Sequence, residues 1–132
     1  MNFNLIPPVR SLVIRRAASG QPCTAGIAGV CRNDTSTTVL CHFQEPGHGS
    51  MGGKCSDMSA GFCCMACHDV LDMRDNRWPD HLRFFEYYKR RSINRTLHML
   101  WEDGLVQFAG GGRDKGLDDP EHLIKAPGLN LL

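Results

Sequence analysis

The chain has 132 residues, of which 42% are hydrophobic and 8% aromatic, and its formal net charge is +1. This length fits one domain and excludes two of ordinary size. No apolar run approaches the ~20 residues of a membrane span, and the apolar stretch at residues 12–14 is too short for a signal-peptide core. The 7 cysteines are an odd number, which disfavours a secreted disulfide framework. We therefore expect a cytoplasmic protein with no membrane partner, in which clustered cysteines bind metal.

The charges are unevenly distributed along the chain. Residues 1–32 contain arginines but no acidic residue, and residues 83–95 are strongly basic, whereas the last 31 residues lean acidic. Two basic patches on a nearly neutral chain are typical of a protein that binds a polyanion, although ordinary solvated faces are the alternative. The candidate nucleic-acid-binding residues are Arg15, Arg16, Lys54, Lys89, Arg90, Arg91 and Arg95.

In chain order, the prediction begins with a loose N-terminal arm at residues 1–13. A short helix or strand near residues 10–18 overlaps the end of this arm and leads to the first cysteine. Residues 35–43 are rich in β-branched and apolar side chains and predict a strand. Residues 44–56 form a glycine-rich loop without the spacing of a phosphate-binding P-loop. Its Lys54 could approach a ligand, or the loop could simply be mobile.

Two helices are predicted next. The first runs from Cys64 to Asn76, and the Trp78-Pro79 pair stops it. The second begins at the N-cap Asp80 and ends near residue 103, just before a glycine. Its apolar side chains recur at helical spacing, which predicts a core-facing stripe. That stripe comprises Leu82, Phe85, Tyr88, Ile93, Leu97, Leu100 and Trp101.

A short strand at residues 105–108 and a flexible tail at residues 109–132 complete the prediction. The domain itself is expected to span residues 14–108.

The cysteines fall into two pairs that could form one zinc site. Cys23 and Cys31 are separated by a loop with two glycines, and Cys64 and Cys67 have the Cys-x-x-Cys spacing of a zinc ligand pair at a helix start. A hairpin pair followed by a helix-start pair is the layout of a treble-clef zinc module. Four thiolates would close the site, so this zinc would be structural. Buried free thiols are the alternative, and the rival ligands are Cys41, Cys55 and Cys63.

Two histidines lie beside this predicted zinc scaffold. His68 directly follows Cys67, and His42 lies near the end of the predicted strand. One imidazole could hold a hard divalent cation while the other takes a proton from water. Phosphodiester hydrolysis needs this division of roles, since a cation offsets charge on the phosphate and a base activates the nucleophile. We expect the two rings to line one pocket.

These residues resemble the HNH endonucleases, which have a ββα-metal site with a His on a hairpin strand and a Cys-x-x-Cys-His element at a helix start. The chain is more similar still to the YbcO-like family of small phage and prophage nucleases. Five blocks of that family occur in the same order within residues 14–106. They are Ala17-Ala18-Ser19-Gly20-Gln21-Pro22-Cys23, Gly29-Val30-Cys31, Leu40-Cys41-His42, Gly52-Gly53-Lys54 and Cys64-Met65-Ala66-Cys67-His68-Asp69-Val70-Leu71-Asp72.

The resemblance implies an α+β fold, a small zinc-bound treble clef of the HNH ββα-metal type with an additional C-terminal helix. It implies that His42 is the general base and that His68 is a ligand of a catalytic Mg²⁺ or Mn²⁺. Asp69 or Asp72 would supply a carboxylate, and Asp72 shares a helix face with His68. It further implies that the structural zinc ligands are Cys23, Cys31, Cys64 and Cys67.

Two positions of this chain depart from the HNH pattern. Many HNH enzymes carry an Asp directly before the base, where this chain has Cys41, a poor ligand for a hard cation. The middle Asn has no obvious counterpart, and Asp57 is the nearest polar residue.

The predicted function is a metal-dependent endonuclease or nickase in a bacterial host cell, acting on duplex or branched DNA. Cleavage of both strands would require a homodimer. The alternatives are a zinc-stabilised DNA-binding module without catalysis and a protein-interaction adaptor. A zinc deaminase is disfavoured because neither His42 nor His68 begins a His-x-Glu element.

Overall fold

The computed structural model of the chain describes residues 8–43, 56–72 and 84–110. Two strands, β1 (Val39–His42) and β2 (Ala60–Cys63), pair in an antiparallel hairpin with His42 opposite Ala60. The described residues also form three helices, which are α1 (Leu12–Ala17), α2 (Met65–Leu71) and α3 (Phe85–Glu102). The predicted small α+β fold is confirmed, whereas its treble-clef and HNH assignment stays a prediction. No helix in the described part of the chain is long and apolar enough to span a membrane.

The segment before the first cysteine is a helix and not a strand. Ser11 caps α1 by accepting a hydrogen bond from the backbone N–H of Ile14. Val9, just before this helix, is bonded to the segment that precedes β2, since its N–H donates to Ser56 Oγ at 3.0 Å and its carbonyl accepts from Asp57 N–H at 2.8 Å. The part of the predicted arm that the structure describes is therefore tied to the domain, and residues 1–7 lie outside the described residues.

The predicted strand at residues 35–43 is wrong in its first half. Residues Thr35–Thr37 form a single 3₁₀ turn, and β1 begins only at Val39. The carboxylate of Asp34 explains the turn, because it accepts hydrogen bonds from the backbone N–H and the hydroxyl of Ser36. The glycine-rich loop is described only at residue 56, so Lys54 and Cys55 lie outside the described residues.

Helix α2 ends at Leu71, where the N–H of Asp72 closes it on the His68 carbonyl. The rest of the predicted helix, residues 73–76, lies outside the described residues. The proposed N-cap Asp80 lies outside the described residues. Residues 105–108 do not form the predicted strand, because the N–H groups of Leu105 and Val106 fold back onto the Leu100 carbonyl at the end of α3.

The prediction of an apolar stripe on α3 is wrong at its centre. Leu97 is 38% exposed, and the side chains that face β2 there are Ser92 and Thr96. Helix and strand approach very closely at Gly61, where an added Cβ would overlap the Ser92 hydroxyl and lie 2.9 Å from Ser92 Cβ. Only small side chains fit this contact.

The hydroxyl groups at this contact also satisfy the outer edge of β2. Phe62 N–H donates to Thr96 Oγ1 at 2.9 Å, and the Phe62 carbonyl accepts from Thr24 Oγ1 at 2.8 Å. Thr96 Oγ1 donates to Thr24 Oγ1 at 3.1 Å, and Thr24 Oγ1 lies 2.6 Å from Ser92 Oγ. A buried strand edge needs such partners, since an unsatisfied backbone group there is costly.

The two faces of the hairpin belong to two separate core clusters. Cys41 and Cys63 pack with Val70 of α2, whereas Phe62 and Leu40 pack against α1 and the end of α3. Successive residues of a strand point to opposite faces. Cys41 therefore faces α2, and its neighbour His42 lies on the α1 side.

Candidate metal and catalytic site

The four predicted zinc ligands come together in the structure. The Sγ atoms of Cys23, Cys31, Cys64 and Cys67 all lie within 4.8 Å of one another. The pair Cys31 and Cys64 is 3.9 Å apart. A tetrahedral zinc with Zn–S bonds of ~2.3 Å separates its sulfurs by about 3.8 Å. This donor set could hold a metal ion, and its chemistry suits zinc.

Local backbone structure explains how the two cysteine pairs meet. The loop between Cys23 and Cys31 turns at Gly26 and Gly29, which both have positive φ, and the N–H groups of residues 30 and 31 both donate to the Ile27 carbonyl. Cys64 directly follows β2, and Cys67 lies in the first turn of α2. The loop after α1, the end of β2 and the first turn of α2 thus place their cysteine thiols close together.

Of the rival cysteines, Cys41 and Cys63 are not members of this group of four, and Cys55 lies outside the described residues. Cys63 lies beside Cys23, and hydrogen bonds with Cys63 and Cys67 lower the pKa of the Cys23 thiol. Cys63 itself belongs to neither of the two donor groups found among the described residues. Cys41 belongs to the second of these groups.

The second donor group comprises Cys41, His68 and Asp72, whose ligand atoms also lie within 4.8 Å of one another. His68 Nε2 lies 3.1 Å from Asp72 Oδ2, one helical turn away on α2. Cys41 is fully buried, and its hydrogen bond with Cys63 lowers the pKa of its thiol to about 7, against the effect of burial and with further help from His68. This group could hold a second cation.

Asp69, the other predicted carboxylate ligand, points elsewhere. It lines a cavity on another side of α2 together with Arg32 and Asp34. Residues 68 and 72 share a face of the helix, whereas residue 69 is rotated by about 100°. The structure therefore brings Asp72 to His68 and Cys41, and it does not bring Asp69 there.

His42 lies in a different hydrogen-bonded group. Its Nε2 is 2.6 Å from Asp57 Oδ1, and the His42 side chain is 30% exposed whereas that of Asp57 is only 1% exposed. The backbone N–H of Ser11 donates to Asp57 Oδ2 at 2.6 Å, and Arg15 Nε lies 3.4 Å from both carboxylate oxygens. Burial opposes ionisation, but the bonds from His42 and Ser11 and the charge of Arg15 hold the pKa of Asp57 below its usual value.

The two imidazoles therefore belong to two groups that lie on either side of β1. His68 meets Cys41 on the α2 side, and His42 meets Asp57 on the α1 side. The groups are still adjacent in the chain, because Cys41 and His42 are consecutive and their Cα atoms are about 3.8 Å apart. The expectation that both rings line one pocket stays a prediction.

The predicted nucleic-acid-binding residues differ in accessibility. Arg16, Arg90 and Arg95 are exposed, and Arg15 and Arg91 are half-buried. Lys89 does not fit the prediction, because its side chain is 7% exposed and lies 3.4 Å from Glu86 Oε1 and over the ring of Phe85.

Sequence reasoning gave no role to the pairing of Asp57 with His42. These residues are 15 positions apart, and Arg15 is 42 positions from Asp57, so no local spacing links them. The signal in the sequence is the acidic residue Asp57 itself, which lies shortly before the strand that pairs with the strand of His42.

Comparison with known proteins identifies related sequences. Residues 12–105 match the model of the family described as "Putative nuclease YbcO". Proteins of that name from Escherichia coli K12 and from Enterobacteria phage 82 are each 41% identical to the chain over 61 residues, which is 46% of this chain and 64% of theirs. The chain thus spans slightly less than two thirds of these curated relatives.

A solved structure is also similar. It is described as a putative bacteriophage protein from E. coli K-12 MG1655, with 29% sequence identity and a TM-score of 0.53. The similarity covers 70% of this chain and 100% of that one.

Proposed function

We propose that the chain, which belongs to the YbcO nuclease family, is a metal-dependent DNA endonuclease of the HNH type with a structural zinc. The observation that carries the proposal is the hydrogen bond between His42 Nε2 and Asp57 Oδ1. His42 is the last residue of β1, and the residue before it, Cys41, belongs to the second donor group. Together these groups would supply a base and the ligands of a cation at neighbouring positions, as phosphodiester hydrolysis requires.

His42 is the general base in this proposal. A carboxylate bound to Nε2 holds the proton on that nitrogen, which leaves the lone pair on Nδ1 to accept a proton from the attacking water. Asp57 is itself fixed by Ser11 and Arg15, so the ring orientation is set by a buried, ionised group. The partial exposure of His42 allows water to reach it.

His68 and Asp72 would hold the catalytic cation, and a phosphodiester lying across the end of β1 would contact this site and His42 together. When bound, a divalent cation offsets the negative charge that develops on the scissile phosphate and the leaving oxygen. These two residues lie one turn apart on α2 and would fix that cation at one position. A structural zinc bound by Cys67 would anchor the same helix.

Arginine side chains supply the attraction for DNA. Arg15 lies beside Asp57 and therefore close to His42, and the exposed Arg16 is its neighbour on α1. Arg90 and Arg95 are exposed on α3, with Arg91 half-buried between them. Cations that contact phosphates make affinity fall steeply with salt. Lys89 is left out of this surface because it is buried.

Nicking of supercoiled plasmid by the purified full chain, with a panel of divalent metals, tests the proposal. His42→Ala should reduce the rate by ~10²–10⁴-fold, the usual contribution of a general base, while leaving the metal content of the cysteine site unchanged. The matched control is His98→Ala, an exposed histidine on α3 that is bound to Glu102.

Nicking that persists unchanged in His42→Ala would overturn the assignment of the base. If salt-sensitive DNA retention occurs without nicking under any metal condition, the chain is a non-catalytic DNA-binding module instead.

A further inference from the structure

We infer that Cys41 is a metal ligand, and that Cys41, His68 and Asp72 select a thiophilic transition ion such as Zn²⁺ over the Mg²⁺ or Mn²⁺ that an HNH-type site implies. The catalytic meaning of this inference rests on the proposed function, but the binding itself does not. The chain would then hold two thiophilic ions, one in the closed cysteine site and one at the end of β1.

The positions of the three donors fit a small tetrahedral ion. Their ligand atoms lie within 4.8 Å of one another, and the His68–Asp72 pair is 3.1 Å apart. Zinc bonds of ~2.0–2.3 Å to N, O and S place neighbouring ligands about 3.3–3.8 Å apart. Minor adjustment of side chains would therefore bring all three atoms onto one ion.

The type of donor decides which ion fits. Thiolate and imidazole ligands favour zinc and other late transition metals, whereas Mg²⁺ and Mn²⁺ prefer oxygen ligands. Mg²⁺ also demands octahedral geometry and keeps several waters. This site offers one carboxylate, and its donor from β1 is the thiol of Cys41 and not an oxygen.

Cys41 cannot easily leave the site. It is fully buried, and the pairing of β1 with β2 fixes its backbone opposite Gly61. The packed surroundings include Cys63 and Val70, so no large rotation is open to its side chain. Any ion held by His68 and Asp72 thus has a sulfur atom as its third neighbour.

The two sites should differ in how tightly they hold their ions. The cysteine site has four thiolates and is closed, whereas the Cys41 site has three donors and leaves a fourth position open, as zinc sites of catalytic type do. Asp72 lies at the exposed end of this group. The second ion should therefore exchange with solution more readily than the first.

Cobalt binding by the full chain tests this inference without reference to activity. Metal-free protein is reconstituted with Zn²⁺ until the cysteine site is filled, and Co²⁺ is then added. We expect one further equivalent of Co²⁺, with a thiolate-to-cobalt charge-transfer band, that a large excess of Mg²⁺ does not displace. Metal content is measured by mass spectrometry of the folded protein.

Variants assign the band to its ligands. Cys41→Ser should abolish the charge-transfer band. It should also weaken Co²⁺ binding by at least ~10–100-fold, because loss of a residue that only supports a metal ligand already costs that much. Cys63→Ser, which removes a neighbouring buried thiol outside both donor groups, should keep the band. Asp72→Asn, at a more exposed side chain, should weaken binding and keep the band, and it serves if Cys41→Ser does not fold.

The inference is overturned if the chain binds one ion only, if the second ion shows no sulfur charge transfer, or if Mg²⁺ displaces it. Its failure is distinguishable from failure of the proposed function. A second thiolate-bound ion without plasmid nicking would refute the nuclease proposal alone, whereas nicking by protein that binds Mg²⁺ and lacks the band would refute this inference alone.

Discussion

Replacing Thr96 by Val tests why α3 presents hydroxyl groups to the hairpin. The exchange keeps the shape of the side chain and nearly the same helix propensity. It removes the acceptor of the Phe62 N–H and the donor to Thr24, at a position where Thr96 is only 2% exposed. No water can easily replace the lost partner there.

The expected cost follows from the groups left without partners. Leaving one buried N–H unsatisfied costs about 1–3 kcal/mol. Thr24 loses less, because its hydroxyl keeps its bond to the Phe62 carbonyl and its contact with Ser92. We therefore expect Thr96→Val to lower the free energy of unfolding by about 1–3 kcal/mol, which in a domain of this size lowers the melting temperature by at least about 4 °C.

Urea unfolding at a fixed metal concentration measures this change, because bound metal would otherwise shift apparent stability. Thr35→Val, at an exposed threonine in the 3₁₀ turn, is the matched control and should stay within about 0.5 kcal/mol of the unmodified chain. If Thr96→Val is as stable as the unmodified chain or more so, satisfaction of the β2 edge is not the reason for this polar helix face.

Three further results are expected. Gly61→Ala should destabilise the chain by about 1–3 kcal/mol in the same assay, because its methyl group would push Ser92 and α3 away from β2; an unchanged stability would contradict the close approach. Removal of metal by a strong chelator should abolish the cooperative thermal transition measured by circular dichroism. The reason is that four converging thiolates without an ion cannot hold the loop, strand and helix together. A cooperative transition that survives in metal-free protein would refute this. Because the pKa of Asp57 is lowered in the folded state, the stability that it contributes is fully present above the usual carboxyl pKa of about 4 and is lost as the pH falls through the lower folded value. The stability difference between the unmodified chain and Asp57→Asn should thus be constant near neutral pH and shrink below about pH 4, and a difference that grows on acidification would contradict it.

The sequence by itself determined the parts of this protein that depend on local spacing. The Cys-x-x-Cys pair at the start of α2 and the end of α3 before Gly104 follow from patterns within short segments. The meeting of this pair with Cys23 and Cys31 was predicted from cysteine spacing together with the family resemblance. The i, i+4 spacing also placed Asp72 beside His68, because helix geometry is the same in every context.

Only the tertiary structure decided which side chains meet across the hairpin. The pairing of His42 with Asp57 and Arg15, and of Cys41 with His68 and Asp72, depends on strand register and on which helix covers each face. Ser92 and Thr96 interrupt the predicted apolar stripe at its centre for the same kind of reason. They bind a strand edge and fit against Gly61, and contacts between residues distant in the chain leave no periodic signal in either segment.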